Sequence, residues 1–261
     1  MSHQKKYPQR VRNALHFREL TVLRVERISQ AFQRIVLGGE ALEGFTSAGF
    51  DDHTKLFFPE PGSHFSPPTI TEEGIVWGEG VRPQSRDYTP LYNAERHELA
   101  YDFFIHDGGL ASQWAMKAKV GDTLTIGGPR GSLVVPEDYA WQLYVCDESG
   151  MPALLRRLTA LRELPERPQV KAIVTVADAA YQDYLADCGF EIDWVIGHSE
   201  QAVAEKLAAL NVPQEDYFLW LTGEGAGVKS WLDGFVTDAI DPQLLRSQAY
   251  WHKKSSIKSS R

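Results

Sequence analysis

Cysteine is nearly absent from this chain: Cys146 and Cys188 are the only two among 261 residues. They build neither a disulfide framework nor a C-x-x-C redox or zinc pair, and each is expected to be a small buried hydrophobe. Long apolar runs are missing too. Stretches such as Ile173–Ala177 and Tyr217–Leu221 fall far short of the roughly 20 residues that cross a bilayer. The polar, basic segment Met1–Arg12 has no apolar region behind it of the kind a secretory signal needs. The expectation is a cytoplasmic protein without membrane insertion. No internal repeat or low-complexity linker appears. The eight histidines show no metal-ligand spacing with cysteine or carboxylate, so no protein-bound metal is expected. A net charge of −8 speaks against a nucleic-acid partner, although Leu244 to Arg261 carries five basic residues (Arg246, Lys253, Lys254, Lys258, Arg261) and no acidic one.

What is present is an ordinary globular composition, 43% hydrophobic and 24% charged, with two rhythms. Up to about Pro136 the pattern is one of short strands: Glu19–Arg27, Gln33–Leu37, Thr54–Phe58, Glu98–His106 and Asp122–Ile126, separated by Gly, Pro and Asp. One helix interrupts them near Ala111–Lys119. This predicts an antiparallel barrel or sandwich. From about Ala140 strand and helix alternate. Gln142–Asp147, Val170–Ala177, Ile192–Ile196 and Tyr217–Thr222 read as strands. Leu154, Leu155, Leu158 and Leu161 mark a helix, Asp178 caps a second running to Gly189, Ser199 caps a third, and Val228, Trp231, Leu232 and Phe235 share one side of a fourth. That pattern predicts a parallel α/β sheet. The boundary falls between residues 1–138 and 139–261.

Four segments are candidates for chemistry. In Arg86-Asp87-Tyr88-Thr89-Pro90-Leu91, a guanidinium can grip a pyrophosphate and a Tyr can stack on a planar ring, although an edge strand with a surface Arg reads equally well. His106-Asp107-Gly108-Gly109-Leu110-Ala111-Ser112 joins a strand end to a helix start, where free N–H groups and the helix dipole suit an anion; a plain Gly-rich connection with a capping serine is the alternative. Gly127-Gly128-Pro129-Arg130-Gly131-Ser132 is a rigid turn, by itself no more than a loop. Thr222-Gly223-Glu224-Gly225-Ala226-Gly227 is G-x-G-x-G rather than G-x-G-x-x-G, and it follows the fourth strand where a dinucleotide fingerprint follows the first.

Taken in order with Tyr101–His106, Trp114, Asp147-Glu148-Ser149-Gly150-Met151-Pro152-Ala153 and Tyr250-Trp251, these segments resemble the siderophore-interacting protein family, in particular its ferric-siderophore reductase branch, which is related to the ferredoxin reductases. The resemblance runs from about Tyr7 to Lys253. It implies a six-stranded antiparallel FAD-binding barrel followed by a parallel α/β domain that binds NAD(P)H. It implies that Arg86, Tyr88, Thr89, Phe104, His106, Gly109, Ala111, Ser112 and Trp114 hold FAD, with Trp251 nearby. Asp147, Glu148, Gly223 and Glu224 would meet the nicotinamide nucleotide. Many members carry Arg at the position of Leu91. NADPH is the expected donor, whereas Asp178 at the end of the second strand would suit NADH. Lys55, Arg130 and Arg246 are the implied cations for an anionic ferric siderophore, with Lys253 and Lys254 as outer help. The implied activity carries electrons from NADPH through flavin to chelated Fe(III) in a monomer, without a catalytic acid or base. Two other functions fit less of the pattern: a flavin reductase exchanging electrons with a ferredoxin, and a non-catalytic siderophore carrier.

Overall fold

A computed structural model describes residues 6–60, 65–78 and 82–253. The chain divides into two compact units: Gln9–Val135, and Pro136 onward together with the N-terminal residues through Pro8.

The first unit holds strands β1 (Gln9–Arg12), β2 (Phe17–Arg27), β3 (Phe32–Gly38), β4 (Thr54–Phe58), β5 (Thr69–Thr71), β6 (Gly74–Val76), β7 (Gln84–Tyr88), β8 (Leu91–Asn93), β9 (Glu98–Phe104), β10 (Thr123–Gly127) and β11 (Gly131–Val134), with helix α1 (Leu110–Lys117) between β9 and β10. Seven of the strands form one antiparallel sheet in the order β7-β4-β10-β2-β3-β9-β8. β7 and β8 lie at its opposite edges, yet only Thr89 and Pro90 separate them in the chain. Three residue steps span at most about 11 Å, so the sheet has to curl until its edges nearly meet. Tyr88 at the end of β7 packs on Phe103 of β9, ring centroids 4.5 Å apart. The expectation of six strands is thus corrected to seven. Pro90 has no N–H for a ladder, and it breaks the Arg86–Leu91 segment into two strands. Leu20, Val22, Ile35, Leu37, Leu56, Leu99, Tyr101 and Phe103 fill the inside of the curl, on the alternating positions that a one-sided sheet buries.

The second unit contains β12 (Trp141–Cys146), α2 (Met151–Arg162), β13 (Gln169–Val176), β14 (Asp193–Ile196), α3 (Glu200–Ala208), β15 (Tyr217–Glu224), α4 (Gly225–Phe235) and β16 (Leu245–Trp251). Its sheet is parallel with the order β14-β13-β12-β15-β16. All six residues of β12 are buried, as befits a strand covered on both faces. The segment after Asp178 is a 3-10 turn, Ala179–Leu185, rather than an α-helix; Asp178 does cap it, accepting the Ala180 N–H at 2.8 Å. The fifth strand, β16, has no counterpart in the sequence pattern. Its residues are half-buried throughout, except the exposed Trp251, so no alternation marks it. Tyr7 also belongs here, donating its hydroxyl to Asp241 at 3.0 Å, and Tyr139 donates to the Lys6 carbonyl at 2.8 Å. Both cysteines are buried thiols. No helix among the described residues is long and apolar enough to cross a membrane.

Candidate functional site

In the first unit, Arg86 projects from edge strand β7 into solvent. Its guanidinium meets only local groups, the Ser85 carbonyl at 2.7 Å and the Gln84 side chain at 3.5 Å. Among the described residues no carboxylate pairs with it, so its charge is available to an anion. Tyr88 is the opposite case. Half-buried against Phe103, it has its phenol proton held far more tightly than usual by burial, slightly offset by the Arg86 charge. Thr89 is only 8% exposed. The Arg86–Leu91 segment therefore presents one exposed cation beside an aromatic ring and a buried hydroxyl residue.

The turn after β9 is braced from within. The Ser112 hydroxyl donates to the His106 carbonyl at 2.8 Å and accepts the His106 N–H at 2.9 Å, and Ser112 is 1% exposed. A phosphate contact through this hydroxyl, as the sequence suggests, would break the turn; the backbone is what the turn offers. Helix α1 starts at Gly109 without a side-chain cap and without an acidic residue in its first turn. The N–H groups of Leu110, Ala111 and Ser112 lie in that first turn, where a helix has no carbonyl of its own to satisfy them. Gly108 adopts a φ of 77° with open space around it, a conformation that suits glycine. His106 is exposed and its ring stacks on Phe104, 5.5 Å away. Trp114, half-buried, packs between Phe58 and Phe103, both 5.7 Å away, at the margin of the core.

The three expected substrate cations are not alike. Lys55 pairs across the β4–β7 ladder with Asp87, Nζ to Oδ1 2.9 Å, both side chains about half exposed. Arg130 is exposed on the Gly128–Gly131 turn after β10, whose last residue Gly127 lies opposite Lys55. Arg246 is half-buried in β16 of the second unit and donates to Gln248 at 2.6 Å. Lys253 is exposed, and Lys254 lies outside the described residues.

In the second unit the chain moves from β12 outward through β13 to β14, then returns to place β15 on the other side of β12. This reversal is a topological switch point, and in open α/β sheets ligands bind in the crevice beyond the carboxyl ends of the strands there. Asp147-Glu148 follows β12, and Glu224 ends β15, so both expected segments border that crevice. Their side chains are engaged in building it. Asp147, 3% exposed, accepts from the Ser149 N–H at 2.9 Å and hydroxyl at 2.5 Å on one oxygen. Its other oxygen accepts from the Glu224 N–H at 2.9 Å and the Trp251 indole at 2.8 Å. Burial pushes its proton affinity up against the pull of these donors. Gly223 lets the strands approach, since a Cβ there would lie 2.8 Å from the Asp147 carboxylate. Glu224 caps α4 through the N–H groups of Ala226 and Gly227 at 2.8 and 3.1 Å. The Gly225–Gly227 helix start is therefore already satisfied, unlike that of α1. Glu148, 5% exposed, accepts the Ala177 N–H at 2.7 Å and meets His198 at 3.2 Å. His198 is absent from the sequence candidates; its only signal is its place just after the third strand of the parallel sheet.

Comparison with known proteins agrees with this division. A family model described as the siderophore-interacting FAD-binding domain matches residues 21–133, and one described as siderophore-interacting protein matches residues 139–254. The NADPH-dependent ferric-chelate reductase of Escherichia coli is 67% identical over 97% of this chain and 100% of its own length. The ferric vibriobactin reductase ViuB of Vibrio cholerae is 30% identical over 81% of this chain and 80% of its own. Among solved structures, a siderophore utilization protein from T. fusca superposes with a TM-score of 0.82 at 29% identity, covering 95% of this chain and 97% of that one. Matched in both units and along nearly its whole length, the chain belongs to the siderophore-interacting protein family.

Proposed function

We propose that this protein is an NADPH-dependent ferric-chelate reductase that uses FAD to deliver electrons to Fe(III) held by a siderophore or similar chelator. The observation that carries the reading is the 67% identity to a relative bearing that name, sustained over 97% of this chain and all of the relative. The vibriobactin reductase adds that one relative in the family acts on a siderophore complex.

The residues present fit a flavin dinucleotide. Helix α1 begins with no side-chain cap and no acid, which suits a pyrophosphate, and Arg86 supplies an exposed guanidinium with no carboxylate partner among the described residues. Arg86 and the N–H groups of Ala111 and Ser112 would hold the pyrophosphate, with Gly109 allowing the approach. Tyr88, Thr89, Phe104 and His106 would flank the ring system, and Trp114 supports them from behind. When bound, FAD supplies conversion of a two-electron donor into single-electron transfers. On this reading residues 1–138 serve the flavin and 139–261 the nicotinamide nucleotide, which would lie at the switch point bordered by Glu148, Gly223 and Glu224. Asp147 and Trp251 frame that crevice through their hydrogen bond.

The chelator brings the iron, so the protein's task is to attract an anionic complex and release a product that binds less well. Lys55, Arg130 and Arg246 supply positive charge for the first. Fe(II) is less suited than Fe(III) to hard oxygen ligands, which serves the second. The protein is read as a monomer acting in the cytoplasm. The decisive experiment mixes purified protein with NADPH and a ferric siderophore without oxygen, in the presence of a chromogenic Fe(II) chelator. NADPH-dependent Fe(II) formation is expected. Bleaching of the flavin without Fe(II) would favour a reductase for another acceptor, and no bleaching a carrier.

A further inference from the structure

One basic side chain at the carboxyl edge of the parallel sheet has no role in the reading above. After β14, Gly197 and His198 take left-handed conformations, φ 83° and 54°. The Gly197 N–H donates to the Val176 carbonyl at 2.8 Å, which brings the end of β14 back onto the end of β13. His198 then faces Glu148, Nε2 to Oε1 3.2 Å, and the same carboxylate oxygen accepts the Ala177 N–H that continues from β13. The Glu148 side chain is 7% exposed and that of His198 39%. A buried carboxylate thus fixes an outward-facing imidazole next to the second strand. With Nε2 directed at Glu148, the protonated ring has one donor left at Nδ1, and no acceptor for it is found among the described residues.

In open sheets of this topology, the residue at the end of the second strand faces the adenosine ribose. An acid there selects the free 2′-hydroxyl, and a cation accommodates a 2′-phosphate. Asp178, which the sequence suggests for the acidic role, already caps the turn after β13 through the Ala180 N–H at 2.8 Å. His198 follows the third strand, but it shares the Glu148 carboxylate oxygen with the Ala177 N–H and so is the basic side chain beside that place.

We propose that His198, held by Glu148, recognises the 2′-phosphate of NADPH and so sets the preference of this protein for NADPH over NADH. The proposal rests on the reductase reading and deepens it. The charges around His198 favour it: the Glu148 hydrogen bond, and more weakly the Glu148 and Asp147 charges, raise its proton affinity against partial burial and Lys253. Glu200 in the first turn of α3 is the other acidic group nearby in sequence.

The test compares His198→Ala and His198→Arg with the unaltered protein. One readout is calorimetric binding of adenosine 2′-monophosphate and adenosine 5′-monophosphate, which needs no turnover. The other is KM for NADPH and for NADH with a ferric chelate as acceptor. A charge-assisted contact is worth about a tenfold change in affinity or more. Removing the imidazole should weaken 2′-monophosphate binding and raise the NADPH KM by about tenfold, while the 5′-monophosphate and NADH values move less than about twofold; arginine should restore the difference. Undiminished 2′-monophosphate binding in His198→Ala, or equal losses with NADPH and NADH, overturns the proposal. If the unaltered protein produces no Fe(II) with either nucleotide, the reductase reading fails, and 2′-monophosphate binding still decides the role of His198.

Discussion

Trp251 donates its indole N–H to the buried carboxylate of Asp147 at 2.8 Å, tying the end of β16 to the end of β12 across the intervening β15. The same carboxylate oxygen holds the Glu224 N–H at 2.9 Å, so one side chain gathers three strand ends beside the switch point. Asp147→Ala leaves the indole, the Glu224 N–H and the Ser149 N–H without their acceptor. A buried donor left unsatisfied costs about 1–3 kcal/mol. Trp251 is 40% exposed and its indole can turn to water, so urea unfolding of this variant should show a loss within that range, with a changed Trp emission in the folded state.

Arg86 makes only local contacts, so Arg86→Ala should fold with unaltered stability. It should nevertheless be purified with much less flavin, measured by the visible absorbance of FAD released on denaturation. Full occupancy would remove Arg86 from the flavin site.

Asp87 neutralises Lys55 across the β4–β7 ladder. Because both side chains are half exposed, the pair is worth no more than about 1 kcal/mol, and an anionic substrate can compete for the lysine. Asp87→Asn should lower KM for anionic ferric chelates by about two- to fivefold at low salt, and the gain should fade as salt screens the charge. Lys55→Ala should raise the same KM. Steady-state kinetics with an anionic and a neutral ferric chelate separate the two effects.

The Glu148 hydrogen bond raises the proton affinity of His198 in the folded chain. A histidine raised in this way adds stability that is complete below its unfolded pKa of about 6.5 and is lost as pH rises through the folded value. His198 is partly exposed, so the contribution is under about 1 kcal/mol. Glu148→Gln should lower the imidazole pKa seen by NMR titration and flatten the fall of stability on the alkaline side.

Much of the fold is legible in the residues. Thr54–Phe58 is a strand with the expected bounds, Ser199 caps its helix by accepting the Ala202 N–H, and the change of rhythm near Ala140 is the passage from an antiparallel to a parallel sheet. These features are local: periodicity, caps and breakers act within a few residues. β16 escaped because half-burial along its length leaves no alternation to read, and the attachment of Tyr7 to Asp241 spans most of the chain.

The candidate site divides in the same way. The sequence by itself determined that residues 86–91 begin with an Arg and that α1 follows a glycine pair with no acid in its first turn. Which side chains remain available was decided only by tertiary structure. Ser112 turns its hydroxyl back to His106, Trp114 packs against the margin of the core, and Glu224 closes its own helix. His198 comes to stand beside Ala177 because β13 and β14 are paired. Hydrogen-bond partners and burial depend on strands far apart in the chain being brought together. A motif specifies the groups that can act, and packing decides which of them remain free to do so.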